Sequence, residues 1–220
     1  MRNLNQLLLS FDLEQNYKDE DFYVNESNYY AYSLINKWPD WEKNILNIYG
    51  DKFCGKTHLS NIFLKKFKGL KISSKEFNDD IFKKFKVFEN LILEDFDEKI
   101  DEKLMYTLFN IADQDNKFIL INSSIPIHQF NFKLKDFISR LNNCLYAEIK
   151  NPNDKLIFAI LLKNFSDRQI SIEKKLIDFI VKRIDRSYGK IYEFIYKIDE
   201  ISLKKKKSID FKSIKEVLEV

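Results

Sequence analysis

Between residues 44 and 149 short apolar runs alternate with longer segments of helical spacing. The runs NILNIY (44–49), LKISS (70–74), NLILE (90–94), KFILIN (117–122) and YAEI (146–149) read as strands. The run at 90–94 is almost continuously apolar, the pattern of a parallel strand covered on both faces. Helical spacing is predicted from about Lys56 to Lys68, in a lysine-rich stretch at 75–86, and at 101–112, where Leu104, Leu108 and Ile111 share one face. Upstream, SNYYAYSLINKW (27–38) has the same period, with Ser27 at the N-cap position and Pro39 just beyond the end. Strands alternating with helices imply parallel crossover units, hence an α/β, doubly wound sheet.

The pattern changes at Asn151. Beyond it there is no strand pattern, only amphipathic helices. Asn151 reads as an N-cap with Pro152 at the first helical position, where a missing N–H does no harm. Ser171 is the expected cap of the helix IEKKLIDFIVKRI (172–184), and further helices are predicted at about 187–200 and 211–220. The lysine run 204–207 reads as a solvated turn. The expected organisation is an extended arm at 1–21, an α/β domain at 22–150 and a small helical domain at 151–220.

Composition narrows the class. The 220 residues are 45% hydrophobic and 32% charged, ordinary for a globular protein. The 37 basic and 34 acidic residues leave a net charge of +3, which gives no case for a dedicated DNA-binding surface. The two cysteines, Cys54 and Cys144, have neither metal-ligand spacing nor the numbers of a disulfide framework, and fit a reducing cytoplasm. The Leu7–Leu9 cluster is followed at once by Asp12 and Glu14, so neither a signal peptide nor a membrane span is expected.

Four glycines serve the whole chain, and one motif uses two of them. Gly50-Asp51-Lys52-Phe53-Cys54-Gly55-Lys56-Thr57 matches the phosphate-loop pattern in full, between a predicted strand and a predicted helix. Glycines let backbone N–H groups curl around phosphate oxygens, and the helix N-terminus adds its positive dipole end. Lys56 is expected to reach the β- and γ-phosphates and Thr57 to place a hydroxyl on Mg²⁺. Cys54 reads as a small filler in the loop, and His58 as a helix-surface or packing residue. Such a loop needs an acidic partner at a neighbouring strand end. LILEDFD (91–97) supplies Glu94, Asp95 and Asp97, of which Glu94 and Asp95 are the candidate pair.

At this point the residues resemble the AAA+ ATPases of the DnaA replication-initiator family. The loop GDKFCGKTHLSN (50–61) runs into the Lys-Thr-His-Leu typical of that group, and SNYYAY (27–32) resembles the stretch beside the nucleotide base. LILEDFD stands in the Walker B place, INSSIPI (121–127) in that of the sensor 1 strand end, DFISRL (136–141) in the box VII arginine region, and RIDRSYG (183–189) in sensor 2. The chain ends where the helical lid of the initiator would end, so it is more similar to the short Hda-type regulators than to a full initiator. Gln6-Leu7-Leu8-Leu9-Ser10-Phe11 resembles the peptide by which those regulators bind the sliding clamp, with Gln6, Leu7, Leu9 and Phe11 as its contacts.

The resemblance implies an AAA+ parallel sheet flanked by helices and followed by a helical lid, with Gly50 to His58, Asn122 and Arg186 around bound ADP or ATP and Mg²⁺ on Thr57 and Glu94. Either Asn122 or Ser123 would be sensor 1. Arg186 matches the sensor 2 arginine, and Arg140 the arginine finger that completes a neighbour's ATP site. The Glu94-Asp95 order is inverted, which puts intrinsic hydrolysis in question. The implied partners are the initiator DnaA and the clamp, with DNA reached only through the clamp and self-association left open. The implied role is negative regulation of replication initiation; the alternatives are an autonomous ATPase of helicase-loader type and a nucleotide-gated scaffold without hydrolysis.

Overall fold

The computed structural model describes residues 21–205 and 209–219. Gln6, Leu7, Leu9 and Phe11, the expected clamp contacts, lie outside the described residues, as do Lys206 and Lys207 of the lysine run.

The described residues form a five-stranded sheet with β1 (Ile45–Gly50), β2 (Gly69–Ser73), β3 (Asn90–Phe96), β4 (Phe118–Ser123) and β5 (Leu145–Ile149). Every pairing is parallel, and the order across the sheet is β2-β3-β4-β1-β5. Because side chains alternate across a strand, each central strand feeds two cores. Leu91, Leu93, Ile119 and Ile121 enter one core with α3 (Asp80–Phe85), α4 (Glu102–Gln114) and α5 (Lys135–Leu141). Ile92 and Leu120 enter the other with α1 (Tyr29–Lys37) and α2 (Lys56–Lys66). Burial on both faces explains why these strands read as unbroken apolar runs. The alternation also decides where polar residues go: Glu94 continues the Ile92 row and Asn122 the Leu120 row, so both lie on the α2 side.

The remaining helices, α6 (Asp154–Asp167), α7 (Lys174–Val181), α8 (Tyr188–Lys205) and α9 (Phe211–Leu218), surround a third core that includes Ile157, Leu161, Phe165, Ile177, Ile180, Ile191, Ile195 and Ile214. The expected fold, a parallel sheet flanked by helices with a helical C-terminal part, is the one observed.

Several local expectations are corrected. Ser27 does not cap α1. Asn28 holds that position without a side-chain cap, while Ser27 Oγ donates to the Asn151 carbonyl at 3.0 Å and so fastens the start of α1 to the end of β5. Asn151 is thereby a backbone acceptor, and the cap of α6 is Asn153, whose side chain accepts from Leu156 N at 3.0 Å. Ser171 caps nothing, because α7 starts at Lys174 after Glu173. The stretch 75–86 is split: a 3-10 turn at Ser74–Glu76 has its own capping box, with Ser73 as the cap, before the short α3. The lysine run begins inside α8, which extends to Lys205. Helix α5 has no counterpart in the sequence pattern. It has only seven residues and Leu134 at its N-cap, so its start is fixed from outside: the Glu102 carboxylate accepts from Lys133 N at 2.9 Å and Leu134 N at 2.6 Å.

Candidate nucleotide-binding site

The phosphate loop hangs between the end of β1 and the first turn of α2. Gly50 adopts φ +150°, and a Cβ there would stand 2.6 Å from the Ile149 carbonyl, so neighbouring backbone excludes any side chain. Gly55 caps α2 at φ +105°, with the Phe22 ring 3.1 Å from where its Cβ would be. Phe22 also stacks on Tyr32 at 5.8 Å and meets the edge of His58 at 5.2 Å, so His58 belongs to an aromatic group over the helix start. Asp51 and Lys52 are exposed, and Phe53 takes φ +69°.

The Lys56 ammonium is turned into the loop, donating to the carbonyls of Gly50 at 2.7 Å and Asp51 at 2.8 Å and lying 3.6 Å from Cys54 Sγ. It stands at the centre of the loop's curve, at the start of a helix, where positive charge and N–H groups favour an anion. Cys54 is buried. Burial raises its thiol pKa, opposed in part by Lys56, so the thiol stays protonated and serves as packing.

Glu94 is the centre of the polar cluster. It is 7% exposed, and its Oε2 accepts from Thr57 Oγ1 at 3.1 Å and from Asn122 Nδ2 at 2.9 Å. Asn122 Nδ2 also donates to Ser60 Oγ of α2 at 2.7 Å. Glu94 Oε1 accepts no hydrogen bond and faces the Lys71 ammonium at 3.3 Å. The buried Asn122 Oδ1 likewise accepts none.

These donors suit a magnesium ion. Hydroxyl and carboxylate oxygens are hard ligands, and one Glu94 oxygen has no hydrogen-bond donor. Magnesium is held in this manner, by one or two protein oxygens plus substrate phosphates. Thr57 and Glu94 are the residues that would hold it.

Sensor 1 had two candidates, and the sheet separates them. Asn122 joins Glu94. Ser123 faces the opposite core, accepting from Asn47 Nδ2 at 2.9 Å and donating to the Ile125 carbonyl at 2.6 Å. Asp95 is also set apart. It is exposed at φ +53°, where the β3–β4 register breaks, and its carbonyl accepts from Ser74 Oγ at 2.6 Å. The two adjacent acids therefore occupy different environments.

The two arginines stand apart from this cluster. Arg140, on α5, pairs with Asp113 of α4. Arg186 pairs with Asp154 at 2.8 Å, both side chains being more than half exposed. Two residues later, Tyr188 packs in the same core as Cys54 and donates to the Lys150 carbonyl at 3.1 Å. Burial, chiefly, raises the Tyr188 phenol pKa. Tyr192, one turn on, meets Phe53 at 5.3 Å. Helix α8 thus touches the phosphate loop directly.

No family model matches the chain. Its sequence is 28% identical to the chromosomal replication initiator DnaA of Borrelia duttonii over 202 residues, covering 78% of this chain and 41% of that protein. The figure for DnaA of Helicobacter hepaticus is also 28%, over 200 residues, with 80% and 43% covered. The chain thus spans about two fifths of the length of these relatives. Domain III of Thermotoga maritima DnaA superposes with a TM-score of 0.77 at 21% identity, covering 95% of this chain and 98% of that one. The fold is that of the DnaA AAA+ domain. DnaA of Aquifex aeolicus, solved with AMPPCP bound, matches at a TM-score of 0.68 and 21% identity over 87% of this chain and 67% of that one. The fold reaches beyond DnaA, since the RuvB branch-migration motor of T. maritima matches at 0.61 with 17% identity, over 80% of this chain and 61% of that motor.

Several residues of this cluster and its surroundings escape motif reading. Lys71 is legible only as a charge interrupting the apolar β2, and Asn47 as an amide inside β1. Ser60 and Phe22 carry no signal in the sequence, because their roles arise from contacts across the fold.

Proposed function

We propose that this chain is a nucleotide-bound AAA+ adaptor acting in the control of replication initiation. It binds ADP or ATP with Mg²⁺ in the Gly50–Thr57 loop and uses Arg140 to complete the ATP site of a DnaA initiator. Asn122 senses the γ-phosphate beside Glu94, and Arg186 reports the nucleotide to the helical part, while Asp95, expected beside Glu94 as its catalytic partner, is set apart from the cluster. Gln6, Leu7, Leu9 and Phe11 tether the protein to the sliding clamp, raising its concentration near the replication machinery.

The observation that carries this reading is a separation. Thr57 and Asn122 converge on the Glu94 carboxylate, whereas Arg140 makes its ion pair on α4 and joins none of them. An arginine outside its own site is available to a partner's, where neutralising charge on a transferred phosphoryl group is worth about 10³–10⁵ in rate. The similarity to DnaA supports the initiator as that partner, and the AMPPCP-bound DnaA supports an adenine nucleotide as the ligand.

When bound, magnesium would supply charge neutralisation on the phosphates. Lys56 binds the phosphate oxygens, the α2 N-terminus orients them, and Thr57 and Glu94 would hold the metal.

The test is initiator ATP hydrolysis with this chain added, with and without clamp loaded on DNA. Stimulation that requires the clamp, and disappears in Arg140→Ala and in Gln6→Ala/Leu7→Ala, is the expected result. Retention of full stimulation by Arg140→Ala removes the finger from the mechanism. The second reading, an autonomous ATPase of helicase-loader type, is favoured by the coherent Thr57–Glu94–Asn122 cluster. It requires hydrolysis by this chain alone, unaffected by deleting residues 1–11. A scaffold would hydrolyse nothing in either partner.

A further inference from the structure

We propose that Lys71 is a built-in counter-cation of the magnesium site, lowering the site's affinity for the divalent ion. The inference rests on the reading of this loop as a nucleotide site.

Glu94 presents two unlike oxygens. Oε2 is engaged by Thr57 and Asn122 at 3.1 and 2.9 Å. Oε1 accepts no hydrogen bond, so it is the oxygen with lone pairs to offer a cation. That oxygen is the one facing Lys71 Nζ, at 3.3 Å.

The placement of Lys71 follows from the sheet. On β2, Leu70 and Ile72 turn to the first core, so the intervening Lys71 turns to the α2 side, the side of Glu94. There its ammonium also donates to Asn61 Oδ1 of α2 at 3.0 Å. Asn61 and Glu94 together hold the ammonium from two elements, α2 and β3. The carboxylate side chain is 10% exposed against 30% for the lysine, so the pair sits at the margin of the site, with its acid inside and its base reaching in from solvent.

The consequence is electrostatic. A fixed positive charge on one oxygen cancels much of the attraction that Glu94 has for a second cation, and repels a divalent ion directly. Groups that touch a ligand residue and not the metal change metal affinity by about 10–100-fold, and here the positive charge of Lys71 sets the direction downward. The same contact gives the buried carboxylate a cationic partner when no metal is bound.

The test is ADP binding by the full chain across a magnesium titration, from chelator alone upward, alongside Mn²⁺ binding to the ADP complex by electron paramagnetic resonance. In Lys71→Met the magnesium concentration giving half of the full effect falls about tenfold and Mn²⁺ binds about tenfold tighter. Lys71→Arg, which keeps the charge, stays with the wild type. Lys71→Gln, which can still donate to Asn61 without the charge, behaves like Lys71→Met and serves if the methionine variant does not fold. ADP binding with an unmoved half-point in both neutral variants overturns the role of Lys71 and leaves the nucleotide reading standing. A wild type that binds no ADP, with or without magnesium, overturns both.

Discussion

The guanidinium of Arg140 is paired with the carboxylate of Asp113 on the neighbouring helix, and both side chains are about one third exposed. Glu102 fixes the start of α5 and Asp113 holds Arg140 near its end, so α4 grips α5 at both ends. A partly exposed ion pair is worth about 1 kcal/mol or less. Asp113→Asn is therefore expected to change stability by less than about 1 kcal/mol and to raise stimulation of the initiator's ATPase by at most about fivefold, by releasing the arginine. Stimulation falling to the level of Arg140→Ala would instead make Asp113 essential to presenting the finger.

Lys56 is expected to dominate phosphate affinity. Lys56→Ala removes charge-assisted bonds worth about 1.5–3 kcal/mol, so ADP affinity falls about 10–100-fold in calorimetry. The fold should survive, because the ammonium's present partners are two loop carbonyls at the edge of the sheet.

Asn47 is expected to matter for stability out of proportion to its size. It is fully buried, donates to the Ile121 carbonyl at 3.0 Å and to Ser123, and accepts from Ile127 N at 3.0 Å, holding the turn that follows β4. Asn47→Leu leaves a buried N–H and carbonyl unpaired, costing about 2 kcal/mol. Thermal unfolding should move down by on the order of 4–8 °C. An unchanged Tm would mean that water or a shifted loop takes over these bonds.

Burial pushes the Cys144 thiol up to about 12, from an ordinary value near 9. Between those values the folded state keeps the proton that the unfolded state has lost, so stability declines as pH rises from about 9 toward 12. Cys144→Ala should flatten this alkaline decline in Tm. The native thiol should also react slowly with a disulfide reagent at pH 8 and fast in urea.

What could be read in advance differs by kind of feature. The strands at 90–94 and 117–122 were legible because burial on both faces writes an unbroken apolar run. The phosphate loop was legible because it needs glycine at two backbone positions and lysine and threonine directly after. Helix α5 was not, since seven residues carry two turns of pattern at most and its start is held by Glu102, some thirty positions earlier. The cap at Ser27 was misassigned because its hydroxyl donates to the Asn151 carbonyl across the fold, and the cap at Asn151 because α6 starts only at Asp154, with Asn153 as its cap.

The sequence by itself determined the parallel α/β architecture, the position of the phosphate-loop pattern between β1 and α2 and the candidate acids, because each is a local demand of backbone geometry or of side-chain period. Only the tertiary structure decided which oxygen of Glu94 meets Thr57 and which meets Lys71, that Asn122 and not Ser123 joins them, and that Arg140 rests on Asp113. Those outcomes depend on strand order and register, which bring together residues tens of positions apart, and no local pattern encodes them.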